Sequence, residues 1–167
     1  GNWISPDELI TKDGKKILIK DNSSQIVIGP SESMSKSKKN IIDPEKIIND
    51  YGADAARFFI LSDSPPEKDV QWSDEGIIAS YKFIQKLWNL NFRILDAIKS
   101  SSDNENDKEL DKITNKFIYD VTNNLINFSY NKIIANFHEI YSQLTKLIKN
   151  TSSKKSLISN YGKILIV

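Results

Sequence analysis

The sequence contains no cysteine. Disulfides, Cys-ligated zinc, iron–sulfur clusters and thiol catalysis are excluded together. Histidine occurs once, as His138, so a multi-histidine metal site or a His-based dyad lacks members, and no metal site is expected within the chain. No run approaches the ~18 apolar residues of a membrane span. The opening Gly1-Asn2-Trp3-Ile4-Ser5-Pro6-Asp7 has neither the basic nor the apolar region of a signal peptide. An excess of charge is lacking too: 23 Lys+Arg against 22 Asp+Glu leave a net charge of +1. That excludes a strongly basic nucleic-acid glue and an acidic solvating tail, so any nucleic-acid contact must come from local basic patches. Arginine is confined to Arg57 and Arg93. The richness in lysine, isoleucine and asparagine fits AT-rich codon usage, and no function is read from it.

What is present suffices for a core. The 167 residues are 39% hydrophobic, which allows one domain, or one with an appendage. The expected fold class is mainly α, with a minor β-hairpin at the start. Residues 1–33 read as strand and turn, with Ile17-Leu18-Ile19 and Ile26-Val27-Ile28 as the strands and Lys20–Gln25 between them. An earlier turn is marked by Asp13-Gly14. Residues 34–72 hold a polar loop and short connecting helices. Asp43 suits an N-cap, Pro44 the first helical position and Gly52 the stop, and a second short helix covers about Asp54 to Leu61.

Residues 73–167 read as a helical bundle truncated in its fourth helix. Ser73 caps a helix reaching about Lys99. One apolar stripe on it runs through Ile77, Tyr81, Ile84, Trp88, Leu95 and Ile98, with Asn91 as a hydrogen-bonded boundary residue; a second runs through Phe83, Leu87, Leu90 and Ile94. The next helix carries Leu110, Ile113, Phe117, Val121 and Leu125, and ends in a turn at Asn127-Phe128-Ser129, with Ser129 as a cap. The third carries Ile133, Phe137, Ile140, Leu144 and Leu147. Trp88, Tyr81 and Phe137 read as packing residues, and His138 as a packing or surface residue. The fourth helix begins near Leu157 and reaches Ile164-Leu165-Ile166-Val167 without a stop signal. Together with the missing initiator Met, this gives the expectation of a segment truncated at both ends.

Chemistry concentrates in Met34-Ser35-Lys36-Ser37-Lys38-Lys39-Asn40. Three lysines, two hydroxyls and backbone N–H groups on a polar loop can close over a polyphosphate, with lysine acting as a movable point charge. On composition alone, such a loop is more often a solvated loop or a generic anion patch. The order of residues is more specific. Met34-Ser35-Lys36-Ser37 resembles the Lys-Met-Ser-Lys-Ser signature of class I aminoacyl-tRNA synthetases. Asn40, Asp43-Pro44 and Tyr51-Gly52-Ala53-Asp54-Ala55-Ala56-Arg57 follow in the order seen in the branched-chain and methionyl group of that class. Ser37-Lys38-Lys39-Asn40, the run from Ser64-Pro65-Pro66 to Trp72-Ser73-Asp74-Glu75-Gly76, and the opening Gly1 to Glu8 are similar to the bacterial leucyl family.

The resemblance implies a fold, an activity and a set of partners. The bundle would be of the class I anticodon-binding type. The parent activity would be that of a leucine–tRNA ligase, forming leucyl-adenylate from ATP, with Mg2+, and passing leucine to tRNA(Leu). The family is cytoplasmic, and a monomer is expected. Met34, Ser35, Lys36, Ser37, Lys38 and Lys39 would hold the ATP phosphates, and Lys36 would stabilise charge on the leaving pyrophosphate. Ser33 stands where the signature usually has lysine; losing that charge either weakens transition-state stabilisation or is compensated by Lys38 and Lys39. The nucleotide-binding sheet and the His-x-Gly-His signature of the family have no match here, so the chain is expected to be inactive alone. Lys82, Lys86, Asn89 and Arg93 form a polar stripe at helical spacing, which would face tRNA phosphates or is a solvated face. The rival readings are a valyl, isoleucyl or methionyl relative, and a free-standing helical RNA-binding or interaction module.

Overall fold

The computed structural model describes residues 2–12, 15–21, 26–102, 107–149 and 153–166. They fall into two compact units, Gly1–Asp50 and Tyr51–Val167. The architecture is mainly helical with one small hairpin, as expected from the sequence.

In the first unit, a 3-10 turn at Pro6–Glu8 is closed by the Ser5 amide donating to the Glu8 carboxylate at 3.0 Å. It leads into β1 (Leu9–Lys12), which pairs antiparallel with β2 (Lys15–Leu18). Leu9 lies opposite Leu18 and Ile10 opposite Ile17. The hairpin is therefore real, but it is not the one read from the sequence. Ile17-Leu18 pairs backwards with Leu9-Ile10, while Ile26-Val27-Ile28 forms no strand, and Val27 is 88% exposed. The Lys12–Lys15 pairing leaves only Asp13-Gly14 as the connection, the shortest hairpin loop and the one that needs least closure entropy. Apolar residues then meet across the strands, which stabilises the pair. Asp13 and Gly14, and Asn22–Gln25 of the expected turn, lie outside the described residues.

Helix α1 (Pro44–Tyr51) begins where proline needs no amide partner. The Asp43 carboxylate accepts from the Glu45 amide at 3.0 Å. Gly52 then takes φ +85° and ψ 154°, a conformation nearly restricted to glycine, and α2 (Ala53–Asp63) starts at once.

The second unit is the bundle. Its long helix α3 (Asp74–Ser100) is capped by the Ser73 hydroxyl, which accepts from the Gly76 amide at 3.1 Å. Helix α4 (Lys108–Ile126) is capped by the Asp107 carboxylate, which accepts from the Glu109 and Leu110 amides. Helix α5 (Tyr130–Leu147) follows a tight turn in which Phe128 has φ +51°. Ser129 sits at its N-cap, but its hydroxyl does not cap the helix. Its amide instead donates to Asn124 O at 2.8 Å, closing the end of α4. Helix α6 (Lys154–Ile166) starts three residues before Leu157, helped by the Lys154 amide donating to Ser102 O at 3.0 Å.

Two groups of apolar side chains hold these helices together. Leu90, Ile94, Leu110, Phe117, Val121, Ile140, Leu144 and Leu157 form the core of α3–α6. Ala55, Phe59, Ile77 and Phe83 are buried where α2 meets α3 and α5. Full burial of each large apolar side chain contributes about 1.5–3 kcal/mol. Of the two stripes on α3, the one through Phe83, Leu90 and Ile94 is buried; on the other, Ile77 is buried but Leu95 and Trp88 are not. Trp88, read from the sequence as a packing residue, is 64% exposed and touches Phe92 edge-on. Tyr81 and Phe137 are half-buried, and Phe137 packs on Phe117.

Polar bonds fasten α6. The fully buried Asn160 donates to the Asp111 carboxylate at 2.7 Å and to Ser156 O at 2.9 Å. The Asp107 amide donates to the Ser156 hydroxyl at 2.8 Å. The Tyr161 hydroxyl donates to the Asn91 side chain, giving Asn91 the hydrogen-bonded boundary role expected of it.

Candidate functional site

The loop that follows the hairpin segment is built on a single short turn. Ser35 precedes a 3-10 turn at Lys36–Lys38, and Lys39 takes a left-handed conformation, φ +53° and ψ 26°. The Lys38 amide donates to Ser35 O at 3.1 Å and the Lys39 amide to Lys36 O at 3.2 Å. The hydroxyls of Ser35 and Ser37 lie 2.8 Å apart. The Asn40 side chain folds back over the turn: its carboxamide oxygen accepts from the Ser35 amide at 2.7 Å, and its nitrogen donates to Ser33 O at 3.3 Å.

The three lysines are not equivalent. Lys38 is half-buried, ion-paired with Glu32, and has its ammonium 5.7 Å from the centre of the Trp3 ring. Lys36 and Lys39 are exposed and take part in no ion pair among the described residues. Met34 is 48% exposed and Ser37 is exposed, while Ser35 is half-buried. The loop therefore offers two free ammonium groups and a pair of hydroxyls within a few residues, a donor set suited to phosphate oxygens. Of the two lysines weighed as compensating for Ser33, only Lys39 is uncommitted.

Lys82, Lys86, Asn89 and Arg93 all lie on the exposed side of α3. Lys86 also acts on His138, whose imidazole packs against Phe83 and lies edge-on to Phe58. Burial, and then the Lys86 charge, lower the His138 pKa from its usual 6.5. This is a packing arrangement with no carboxylate or nucleophile attached to the imidazole among the described contacts.

A cavity of about 420 Å³ opens between α3, α5 and α6. Leu87, Trp88, Phe137, Ile140 and Ile164 line it, with Asn91 and Tyr161 as its polar members. Burial raises the Tyr161 pKa. Tyr141 also lines the cavity, the rest of the lining is apolar, and it holds no acid–base pair. Among the described residues no group of three or more His, Asp or Glu side chains could hold a metal ion, and no helix is long and apolar enough to cross a membrane.

Sequence reasoning missed the role of Asn40, which it had quoted only as part of a motif. No periodicity signals a side chain that bonds back to its own loop. An Asn just after a Ser/Lys turn is the available hint, since Asn competes well for nearby backbone groups.

Comparison with known proteins places this loop. Residues 23–73 match the family model of the class I tRNA synthetases (I, L, M and V). The chain is 42% identical over 150 residues to a leucine–tRNA ligase of Orientia tsutsugamushi, covering 90% of this chain and 18% of that protein. It is 39% identical to the leucine–tRNA ligase of Ruegeria pomeroyi, covering 96% of this chain and 18% of that one. A crystal structure of the ternary complex of Agrobacterium radiobacter K84 agnB2 LeuRS with tRNA and LeuAMS superposes with a TM-score of 0.67 at 25% identity, over 80% of this chain and 18% of that one. The chain thus spans about 18% of the length of the curated relatives it matches. The loop at residues 34–40 thus lies inside the segment that matches the class I tRNA synthetases, and the chain is similar to leucine–tRNA ligases along nearly all of its length.

Proposed function

We propose that this chain is the phosphate-loop and helical-bundle portion of a leucine–tRNA ligase. The observation that carries the reading is that Lys36 and Lys39, exposed and in no ion pair among the described residues, share one short turn with the bonded Ser35 and Ser37 hydroxyls, inside the segment matched by the family model. In the activation step, a leucine carboxylate oxygen attacks the α-phosphorus of ATP. The bond to the bridging oxygen breaks, pyrophosphate departs, and leucyl-adenylate remains. Lys36 stabilises the charge that builds on the departing phosphates, and Lys39 takes the place of the signature lysine that is Ser33 here. Ser35, Ser37 and Met34 shape the surface that meets the phosphates. Lys38 is held back by Glu32 and Trp3 and becomes available only when that pair opens. In the second step the leucyl group moves to the terminal adenosine of tRNA(Leu), with AMP as the leaving group.

The described residues offer no metal-holding cluster. Mg2+ would accompany the phosphates of ATP. The exposed Lys82, Lys86 and Arg93 on α3 are the residues that would meet the tRNA backbone. The parent enzyme acts as a monomer in the cytoplasm.

The test is leucine-dependent ATP–pyrophosphate exchange by the full-length polypeptide that carries this segment. Lys36→Ala is expected to reduce kcat by at least ~100-fold, the scale of losing a preorganised charge in a transition state. The isolated 167-residue chain is expected to show none. Unchanged exchange in Lys36→Ala, or sustained leucine-dependent exchange by the chain alone, would defeat the reading.

A further inference from the structure

We infer that Asn40 is a positioning residue for the phosphate loop: its carboxamide clamps the Ser33–Lys39 turn in the shape that displays Lys36 and Lys39. The inference rests on the phosphate-binding reading proposed above.

The geometry is that of a closed ring. One end of the Asn40 amide accepts from the Ser35 N–H, and the other donates to the Ser33 carbonyl, so the two backbone groups flanking Met34 are both satisfied by one side chain. Among the described residues no other side chain bonds these two backbone groups. The turn itself contributes only two backbone bonds, from Lys38 to Ser35 and from Lys39 to Lys36, too few to fix an exposed segment of this length. The chain reverses at Lys39 through a left-handed residue, a conformation disfavoured for any side chain with a Cβ. That reversal is what brings the Asn40 side chain back over Ser35. The clamp and the left-handed lysine are thus two parts of one arrangement, and opening the clamp releases Lys39 to the ordinary backbone region.

The chemistry of the side chain matters. A carboxamide carries its acceptor and its donor on two separate atoms of one carbon, so it can bond two backbone groups at once. Aspartate keeps the acceptor for the Ser35 amide, loses the donor to Ser33 and adds a negative charge beside the phosphates. Alanine loses both bonds.

The experiment uses the isotope-labelled 167-residue chain, with inorganic tripolyphosphate as the probe. Two quantities are read by NMR: the exchange rate of the Ser35 amide and the tripolyphosphate affinity from shifts at residues 35–39. Asn40→Ala is expected to weaken tripolyphosphate roughly tenfold and to accelerate Ser35 exchange by a similar factor, while the spectrum of Tyr51–Val167 stays unchanged. Asn40→Asp is expected to restore slow Ser35 exchange without restoring affinity. A general structural role would not divide the two readouts in this way. If Asn40→Ala binds like the wild type while Lys36→Ala is weakened, the inference on Asn40 is overturned and the phosphate reading stands. Should neither substitution change binding, both are overturned. Equal loss of spectral dispersion across Gly1–Asp50 in the alanine and aspartate variants would also overturn it, because Asn40 would then hold the unit together and not the loop shape.

Discussion

The imidazole of His138 lies on the ring of Phe83, with centroids 3.8 Å apart and planes inclined by 33°. The contact joins α5 to α3, and Phe58 of α2 approaches both rings. The single histidine of the chain therefore sits at a three-helix junction, with part of its ring still exposed.

Its consequence is a pH dependence of stability. Burial and the Lys86 charge both lower the folded pKa below 6.5, so the unfolded chain binds its proton first as pH falls. Stability is fully present above about pH 6.5 and declines as pH drops through the window between the unfolded and folded values. Urea unfolding at pH 7.5 and pH 5 should show the decline, and His138→Phe should reduce it. Lys86→Ala should narrow the window by removing one of the two causes. An identical decline in His138→Phe would assign the effect to the carboxylates instead.

Gly76 and Gly162 make a matched pair of opposite sign. A Cβ at Gly76 would lie 2.5 Å from Cε2 of Phe59, a ring that is 4% exposed and already packed against Trp72. Gly76→Ala is expected to cost about 1–3 kcal/mol through overpacking, despite the better helix propensity of alanine. Gly162, on α6, has nothing within 4 Å of its Cβ position, so Gly162→Ala is expected to stabilise by about 0.5–1 kcal/mol. Chemical denaturation of both variants checks the pair.

The tRNA-facing reading of α3 makes a salt-dependent prediction. If Lys86 meets a phosphate, Lys86→Glu in the full-length polypeptide lowers tRNA affinity and flattens the dependence of log K on log salt by about 0.7–0.9. The same charge reversal at Lys116, which is paired with Asp120 and Glu139 on α4 and α5, serves as the control. An unchanged slope in Lys86→Glu identifies the stripe as a solvated face.

Much of the bundle was legible because its boundaries are chemical. Ser73 and Asp43 accept from first-turn amides, and Gly52 ends α1 with a backbone that other residues avoid, whereas the Asp107 cap of α4 was not read from the sequence. Periodicity located both apolar stripes of α3 but not which one a neighbour would cover, since Trp88 and Phe83 are equally good core residues in isolation. The hairpin was misplaced for a related reason. Ile26-Val27-Ile28 has stronger strand propensity than Leu9–Lys12, yet a two-residue connection outweighs propensity when only a few pairs form. The signature loop was legible as an ordered string of residues. Its working parts were not: that Lys38 is committed to Glu32 and Trp3, and that Asn40 closes the turn, depends on contacts between side chains that no spacing rule encodes.

The polar fasteners of α6 bear on uniqueness more than on strength. Apolar faces of neighbouring helices can slide by a turn and still bury comparable area. A one-turn slip of α6 would separate Asn160 from Asp111, Ser156 from the Asp107 amide, and Tyr161 from Asn91. Each separation leaves a buried or half-buried polar group without its partner, at a cost of up to roughly 1–3 kcal/mol. Three such penalties fall together on every shifted alignment, so the last helix selects one docking among several that hydrophobic burial alone would leave nearly degenerate.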